Sequence, residues 1–382
     1  MKFKSIRYCK VRNKILTRQA GFSLVELLVS ITITLIVLTG VLGVVQNSRV
    51  SYETEQESSF IQENLRYATL HLLRDIRGAG NSGCASGSSS LVANVLDGDL
   101  DGMMDSDGII GFEGTNAIIP SEWPDAFELD ATVGSDAVIL RYADPDTELS
   151  IKSSNYTSAV LNVWGTNPFD EGQILMIVDS TCRHAGIFQT NGGNTIKIGH
   201  NSGGSVTPGN CTKVLFPSNS SFDCSASPCN AVSCGGNPAA AYGNGSSVMS
   251  FVANAYYIGE SNVIPGMPAL KRQVLTSTGS RSEELAQGVE SMELKFGVST
   301  EFTPITGEIY TGENAQIFLD ADEVADWDRV MAVRYSLILR SQTELYDSNH
   351  SVTLNGITYN DKYLRQVASS TVRIRNRGET RE

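Results

Sequence analysis

Between Phe22 and Val45 the chain carries one charged side chain, Glu26, and this lone carboxylate limits what the chain can become. The run is 24 residues long, about 36 Å as an α-helix, against a bilayer core of about 30 Å. A carboxylate near the start of a membrane helix costs about 2–3 kcal/mol or more unless something pairs with it. The run holds no cation, so the expected partner is on another chain, and the pattern reads as an assembly protein rather than a simple anchored one.

The flanks refine this. Residues 1–21 hold Lys2, Lys4, Arg7, Lys10, Arg12, Lys14 and Arg18 and no acid. Positive charge before the span places the N-terminus in the cytoplasm and the rest outside. A secretory signal has its small-residue cleavage site after the apolar core. Here that position reads Gln46-Asn47-Ser48-Arg49, and the cleavage-type small residue, Gly21, lies before the core. A cut at Gly21 leaves the apolar helix on the mature protein. Two plainer readings stand beside this one. Ser23-x-x-Glu26 has the form of a capping box with Phe22 and Leu27 as its hydrophobic staple, and the span could be a signal anchor.

Glycine, an aromatic residue, Val25-Glu26 and a long apolar run together resemble the type IV prepilin class. The resemblance implies that a prepilin peptidase cuts between Gly21 and Phe22 and that Phe22 becomes the N-methylated end. It also implies that Glu26, then the fifth residue, pairs with the N-terminal amine of a neighbouring subunit.

Composition agrees with export. The precursor has a net charge of −13, and removing the seven leader cations brings the mature chain near −20. Such a surface repels a phosphate backbone, so nucleic acid is not an expected ligand. The basic residues Arg373, Arg375 and Arg377 read as a solvated strand face. Of the 7 cysteines, Cys9 lies in the leader; Cys84, Cys182, Cys211, Cys224, Cys229 and Cys234 lie on the exported side and are disulfide candidates. Six cysteines allow 15 pairings, and spacing does not choose among them. Zinc is disfavoured, because the spacing is not C-x2-C and no histidine completes a ligand set.

Past the span, Ile61, Leu65, Ala68, Leu72 and Ile76 recur at three-to-four spacing until Gly78 and Gly80, which predicts that the helix continues. From 137 onward strands dominate. Residues 137–142 and 174–178 are short apolar runs, while Met292, Leu294, Phe296 and Val298, and Val333, Tyr335, Leu337 and Leu339, alternate with other residues. The predicted fold is α+β: a long N-terminal helix packed on a mainly antiparallel sheet with long disulfide-bearing loops. The expected segments are a leader at 1–21, a membrane or fibre-core helix at 22–45, and an amphipathic continuation at 46–77. A loop region follows at 78–136, then a β-rich domain at 137–382.

Segments 62–68, 73–80, 83–84, 136–142, 172–182, 285–298, 327–341 and 364–377 resemble the PilW-type minor pilins. That resemblance implies a low-abundance subunit that primes type IV pilus assembly near the fibre tip and supports twitching and adhesion. Its implied partners are other minor pilins, the major pilin, the prepilin peptidase and the inner-membrane assembly platform. Its implied location is the inner membrane with a periplasmic domain, then the extracellular pilus. The leader is shared with secretion pseudopilins, so a minor pseudopilin of a type II secretion system is the alternative.

Asp97, Asp99, Asp101, the Met103 carbonyl, Asp105 and Asp107 match the first part of a calcium loop, with Gly102 at the turn. Gly108 stands where the bidentate acid usually does, so the loop is either a structural calcium site or an acidic surface loop. No other cofactor is expected. No G-x-S-x-G, P-loop or H-E-x-x-H pattern occurs, and Asp326 and Asp328, flanking Trp327, read as a solvated turn rather than an acid/base pair. An enzyme is not expected.

Overall fold

A computed structural model describes residues 21, 23–86, 91–98, 103, 108–114, 131–132, 134–155, 157–203, 206–217, 222–224, 237, 242–277, 279–299, 315–375 and 377. The chain divides into two compact units, 1–55 and 56–382. One helix, Leu24–Gly78, contributes to both. Gly40 and Gly43 do not interrupt it, because a single glycine costs a helix only about 1 kcal/mol.

In the first unit the helix is exposed throughout. Leu24 is 73 % exposed, Ile36 69 % and Val44 67 %, so the apolar surface runs around the whole circumference. Its most apolar 18-residue window has a mean hydropathy of 2.6 and no buried residue, and the helix is long and apolar enough to cross a membrane.

In the second unit the same helix is amphipathic. Ile61, Ala68, Leu72 and Ile76 are fully buried and Leu65 is partly so, as the periodicity predicts. They pack into a core built from two sheets. The larger sheet is centred on the antiparallel pair Ala137–Asn155 and Ser247–Glu260, in register at Leu140 with Asn254 and at Val138 with Tyr256. Ile174–Val178 and Pro268–Thr276 also pair with Ser247–Glu260, and Gly279–Gln287 pairs with Pro268–Thr276. The smaller sheet runs in the order Ile317–Leu319, Val289–Val298, Val330–Glu344, Tyr363–Arg373, all antiparallel. The architecture is α+β and predominantly antiparallel; among the described residues, parallel pairing is confined to Leu91–Asn94 with His184–Gln189 and with Phe222–Asp223.

The chain passes between the sheets at Gly288. Its φ is +80°, and a Cβ there would lie 2.7 Å from the Arg340 carbonyl oxygen, so the corner excludes a side chain. In the two strands of the second sheet that alternate in sequence, Met292, Leu294, Phe296, Val333, Tyr335, Leu337 and Leu339 enter the core with the helix; Ile338, between the last two, is fully buried as well, outside that core. The run 137–142 does not alternate because both of its faces are covered. Val138 and Leu140 enter the core under the helix, while Ala137 and Ile139 enter a second core with Met176, Ala253 and Tyr257.

Three expectations change. Strand Ala137–Asn155 runs well past residue 142. Residues 78–136, expected to be loop, also supply strands Leu91–Asn94 and Ile109–Phe112 and the fully buried Leu96, Met103 and Ile109. Arg377 is not part of a solvated face. It is 4 % exposed and donates to the carbonyls of Trp327 and Val330, whereas Arg373 and Arg375 are exposed as expected.

Candidate functional site

The site begins at the N-terminal end of the helix. Gly21 is exposed and Phe22 lies outside the described residues. The first backbone bond runs from Leu27 N to the Ser23 carbonyl at 3.1 Å. Four hydroxyls of the span are satisfied within the helix: Ser30 donates to the Glu26 carbonyl at 2.7 Å, Thr34 to the Ser30 carbonyl at 2.7 Å and Thr39 to the Ile36 carbonyl at 2.8 Å, and Thr32 donates to the Leu28 carbonyl. Among the described residues the Glu26 carboxylate has no hydrogen bond or ion pair, and the capping box with Ser23 is not formed. Within the span the helix therefore meets the needs of these four hydroxyls and leaves the Glu26 carboxylate without a partner among the described residues. Nothing lies within 4 Å of a Cβ built on Gly40 or Gly43, so neither glycine answers a contact within this chain.

Farther along, two acids fasten the helix to the sheets. Glu57 is 8 % exposed; its carboxylate accepts from Gln342 N at 2.7 Å and from Thr343 Oγ1 at 2.6 Å. Asp75 is 2 % exposed and accepts from Tyr142 Oη at 3.0 Å, Asn254 Nδ2 at 2.6 Å and Tyr256 Oη at 2.6 Å. Register explains the convergence, because Tyr142 pairs with Val252 and Asn254 and Tyr256 follow on the same face. Burial, then the Asp75 charge, pushes both phenols above their ordinary range, so they stay protonated and keep donating. Asn64 adds a third tie, its Oδ1 accepting from Gln287 N at 2.9 Å beside the Gly288 corner. Sequence reading missed Glu57 and Asp75 as anchors. The signal was there in spacing, since Glu57 lies four residues before Ile61 and Asp75 three after Leu72, both on the apolar stripe.

Just past the helix, Cys84 is bonded to Cys182, with Cα atoms 5.2 Å apart. The Cys182 turn is shaped by Asp179, which accepts from Arg183 N at 2.9 Å, His184 N at 3.0 Å and Thr181 Oγ1 at 2.5 Å. Burial alone would raise the Asp179 pKa, and these donors together hold it below the usual range. Cys211 and Cys224 are also disulfide-bonded, while Cys229 and Cys234 lie outside the described residues.

Of the calcium candidates, Asp97 and Met103 are described; Asp99, Asp101, Asp105 and Asp107 lie outside the described residues. The Met103 carbonyl accepts from the buried Arg141 Nε at 2.6 Å. At the entry to the last long strands, Asp326 caps the short helix Trp327–Arg329 by accepting from Asp328 N at 3.1 Å, the turn role expected of it. Asp328 is less solvated than expected: burial raises its pKa, while Arg377 Nη2, 3.8 Å away, opposes the shift.

Residues 16–42 match the family model of the prokaryotic N-terminal methylation motif, the segment that holds Gly21, Phe22 and Glu26. Residues 255–376 match the type IV pilus-assembly protein W, PilW, covering Tyr256 and all four strands of the smaller sheet. Two separate parts of the chain are thus similar to pilin families, the N-terminal segment to the methylation motif and the C-terminal third to PilW. Among solved structures, a type IV-like pilin from Thermus thermophilus is similar over 34 % of this chain and 70 % of its own, at 12 % identity and a TM-score of 0.20. At that distance the likeness carries no argument. The comparison with curated proteins gives no match. The methylation-motif match lies on the N-terminal part of the helix that is long and apolar enough to cross a membrane.

Proposed function

We propose that this chain is a PilW-type minor pilin, cut by a prepilin peptidase between Gly21 and Phe22, that helps initiate type IV pilus assembly near the fibre tip. The observation that carries the reading is the exposed span whose only charged group, Glu26, has no partner among the described residues of its own chain. A new N-terminal amine on a neighbouring subunit meets that need directly, because a desolvated carboxylate gains most from an opposite charge placed beside it. The partners in this reading are the other minor pilins, the major pilin and the inner-membrane assembly platform. The N-terminus faces the cytoplasm before assembly and the sheet domain faces the periplasm. The role is structural rather than catalytic, and it supports twitching and adhesion through the fibre.

The Asp97–Asp107 loop fits this reading as a structural calcium site at the start of the sheet domain. Its support is the alternate spacing of the aspartates, with the Met103 carbonyl retaining a second lone pair beyond the one Arg141 uses.

The decisive experiment is the N-terminal mass of the protein recovered from membranes, with and without the peptidase. A terminus at N-methylated Phe22 that disappears with the peptidase supports the proposal; an intact Met1, or a cut after Val45, overturns it. Deleting the gene then separates the machines: loss of surface fibres fits a pilus, and loss of secretion with fibres intact fits a secretion pseudopilus.

A further inference from the structure

The smaller sheet ends on one side at Tyr363–Arg373. This strand pairs with Val330–Glu344 in an unbroken register from Arg365 to Arg373, and among the described residues no strand pairs with its other edge. Two bonds just beyond it fix the direction of its backbone groups. Ile374 N donates to the Met331 carbonyl at 2.9 Å, toward the sheet, while Arg375 N donates to the Arg77 carbonyl at 3.1 Å, away from it. Backbone groups alternate in direction along a strand, so those of Val367, Ser369, Thr371 and Arg373 point the way Arg375 does, out of the sheet. All four residues are exposed, and among the described residues their outward N–H and C=O groups have no hydrogen-bond partner.

Folded proteins blunt such edges with charge, proline, a bulge or a very short strand. Another edge strand, Gly279–Gln287, is blunted in this way by Arg281, Glu283 and Glu284. Residues 367–371 read Val-Ala-Ser-Ser-Thr and carry none of these devices. The far end of the edge also has a sign. Residues 363–375 include Arg365, Arg373 and Arg375 and no acid. Arg365 is matched by Glu290 and Asp361, each 2.7 Å away, whereas Arg373 and Arg375 are exposed and have no ion pair among the described residues. Arg334 stands beside them, held 4.0 Å from the Phe318 ring and donating from Nε to Thr371 Oγ1 at 3.4 Å. The edge is therefore locally basic in a chain whose net charge is −13.

We propose that the free edge of Tyr363–Arg373 docks an extended acidic segment of a partner protein as an added β-strand. A row of outward backbone donors and acceptors is met in full by another extended backbone, and main-chain bonds supply most of the affinity in strand addition. The short side chains of Val367, Ser369 and Thr371 leave that approach open. Acids on the incoming strand select it by facing Arg334 and Arg373, as opposite charges do across paired strands. The inference is independent of how the subunit enters a fibre.

The test is titration of the purified full chain, held in detergent, with a fluorescein-labelled peptide, Thr-Glu-Val-Thr-Val-Glu-Thr, followed by anisotropy. Two counterparts are titrated beside it, one with lysine for glutamate and one N-methylated at alternate residues. The expected result is saturable binding of the acidic peptide that weakens with added NaCl, several-fold weaker binding of the lysine counterpart, and none of the N-methylated one. Ser369→Pro removes an outward N–H at an edge, where proline is tolerated, so binding should be lost with the thermal midpoint unchanged. Arg373→Glu leaves the backbone edge intact and should narrow the preference between the two charged peptides. No binding of the acidic peptide up to about 1 mM overturns the proposal. Equal binding of the N-methylated peptide, or full binding by Ser369→Pro, overturns strand addition, and an unchanged preference in Arg373→Glu overturns the selection for acid. Self-association of the chain that Ser369→Pro abolishes, with no peptide bound, overturns it in favour of a second copy as the occupant.

Discussion

Replacing Asp75 with alanine tests the anchoring of the helix most directly. The carboxylate accepts three hydrogen bonds from neutral donors, and Tyr256, Asn254 and Tyr142 are 0 %, 3 % and 9 % exposed. After truncation, Tyr142 is the donor best placed to recover water, while Tyr256 and Asn254 are left buried without an acceptor. An unsatisfied buried donor costs about 1–3 kcal/mol, so two of them with some relaxation give a loss of about 3–5 kcal/mol. Tyr256→Phe removes one donor and leaves the carboxylate two, which should cost about 1.5–3 kcal/mol, the range for a hydrogen bond to a charged group. Combined with Asp75→Ala, the same change should cost far less than it does alone, because the orphaned hydroxyl is then gone. Equilibrium denaturation of the full chain in detergent, followed by near-ultraviolet circular dichroism, measures all three. A loss below about 1 kcal/mol for Asp75→Ala, or strictly additive effects in the double variant, would refute the reasoning.

Other consequences are as sharp. Glu26→Gln should leave denaturation of the sheet domain unchanged within about 0.5 kcal/mol, since Glu26 has no partner among the described residues of its own chain, while incorporation into fibres, scored on sheared filaments, is lost. Burial raises the Glu113 pKa to about 7, with Asp136 adding to the shift. The folded state then holds a proton that the unfolded chain releases near pH 4.5, so stability falls as pH rises through that window, and Glu113→Gln should gain on the wild type from pH 4.5 to 7 and then level off. Replacing Cys84 and Cys182 with serine opens a bridge with a sequence separation of 98, which a chain-entropy estimate puts at about 4–5 kcal/mol, read as a lower denaturation midpoint without reductant. If the Asp97–Asp107 loop holds calcium, adding the ion should raise the thermal midpoint, and Asp99→Asn with Asp101→Asn should abolish the rise.

The extent of the helix and the faces of its second half were legible because both are local. Apolar residues at three-to-four spacing specify a buried stripe whatever covers it, and Ile61, Leu72 and Ile76 are buried as that spacing requires. Period-two alternation marked Met292–Val298 and Val333–Leu339 for the same reason. The isolation of Glu26 was equally plain, since the one charged side chain in a run of 24 residues needs no tertiary information to be conspicuous.

What stayed hidden depends on residues far apart in the chain. Glu57 and Asp75 sit on the apolar stripe of the helix, but what they bind is decided only when strands 285 and 179 residues away bring Gln342 and Asn254 to them. Arg377 looks like the third member of a solvated basic run until Trp327 and Val330 present their carbonyls. Of the 15 ways to pair six cysteines, only the folded positions of the helix end and the Asp179 turn select Cys84 with Cys182. Periodicity tells a segment which of its faces is to be covered; the partner that covers it, and the polar group that becomes buried as a result, are set when distant strands find their register.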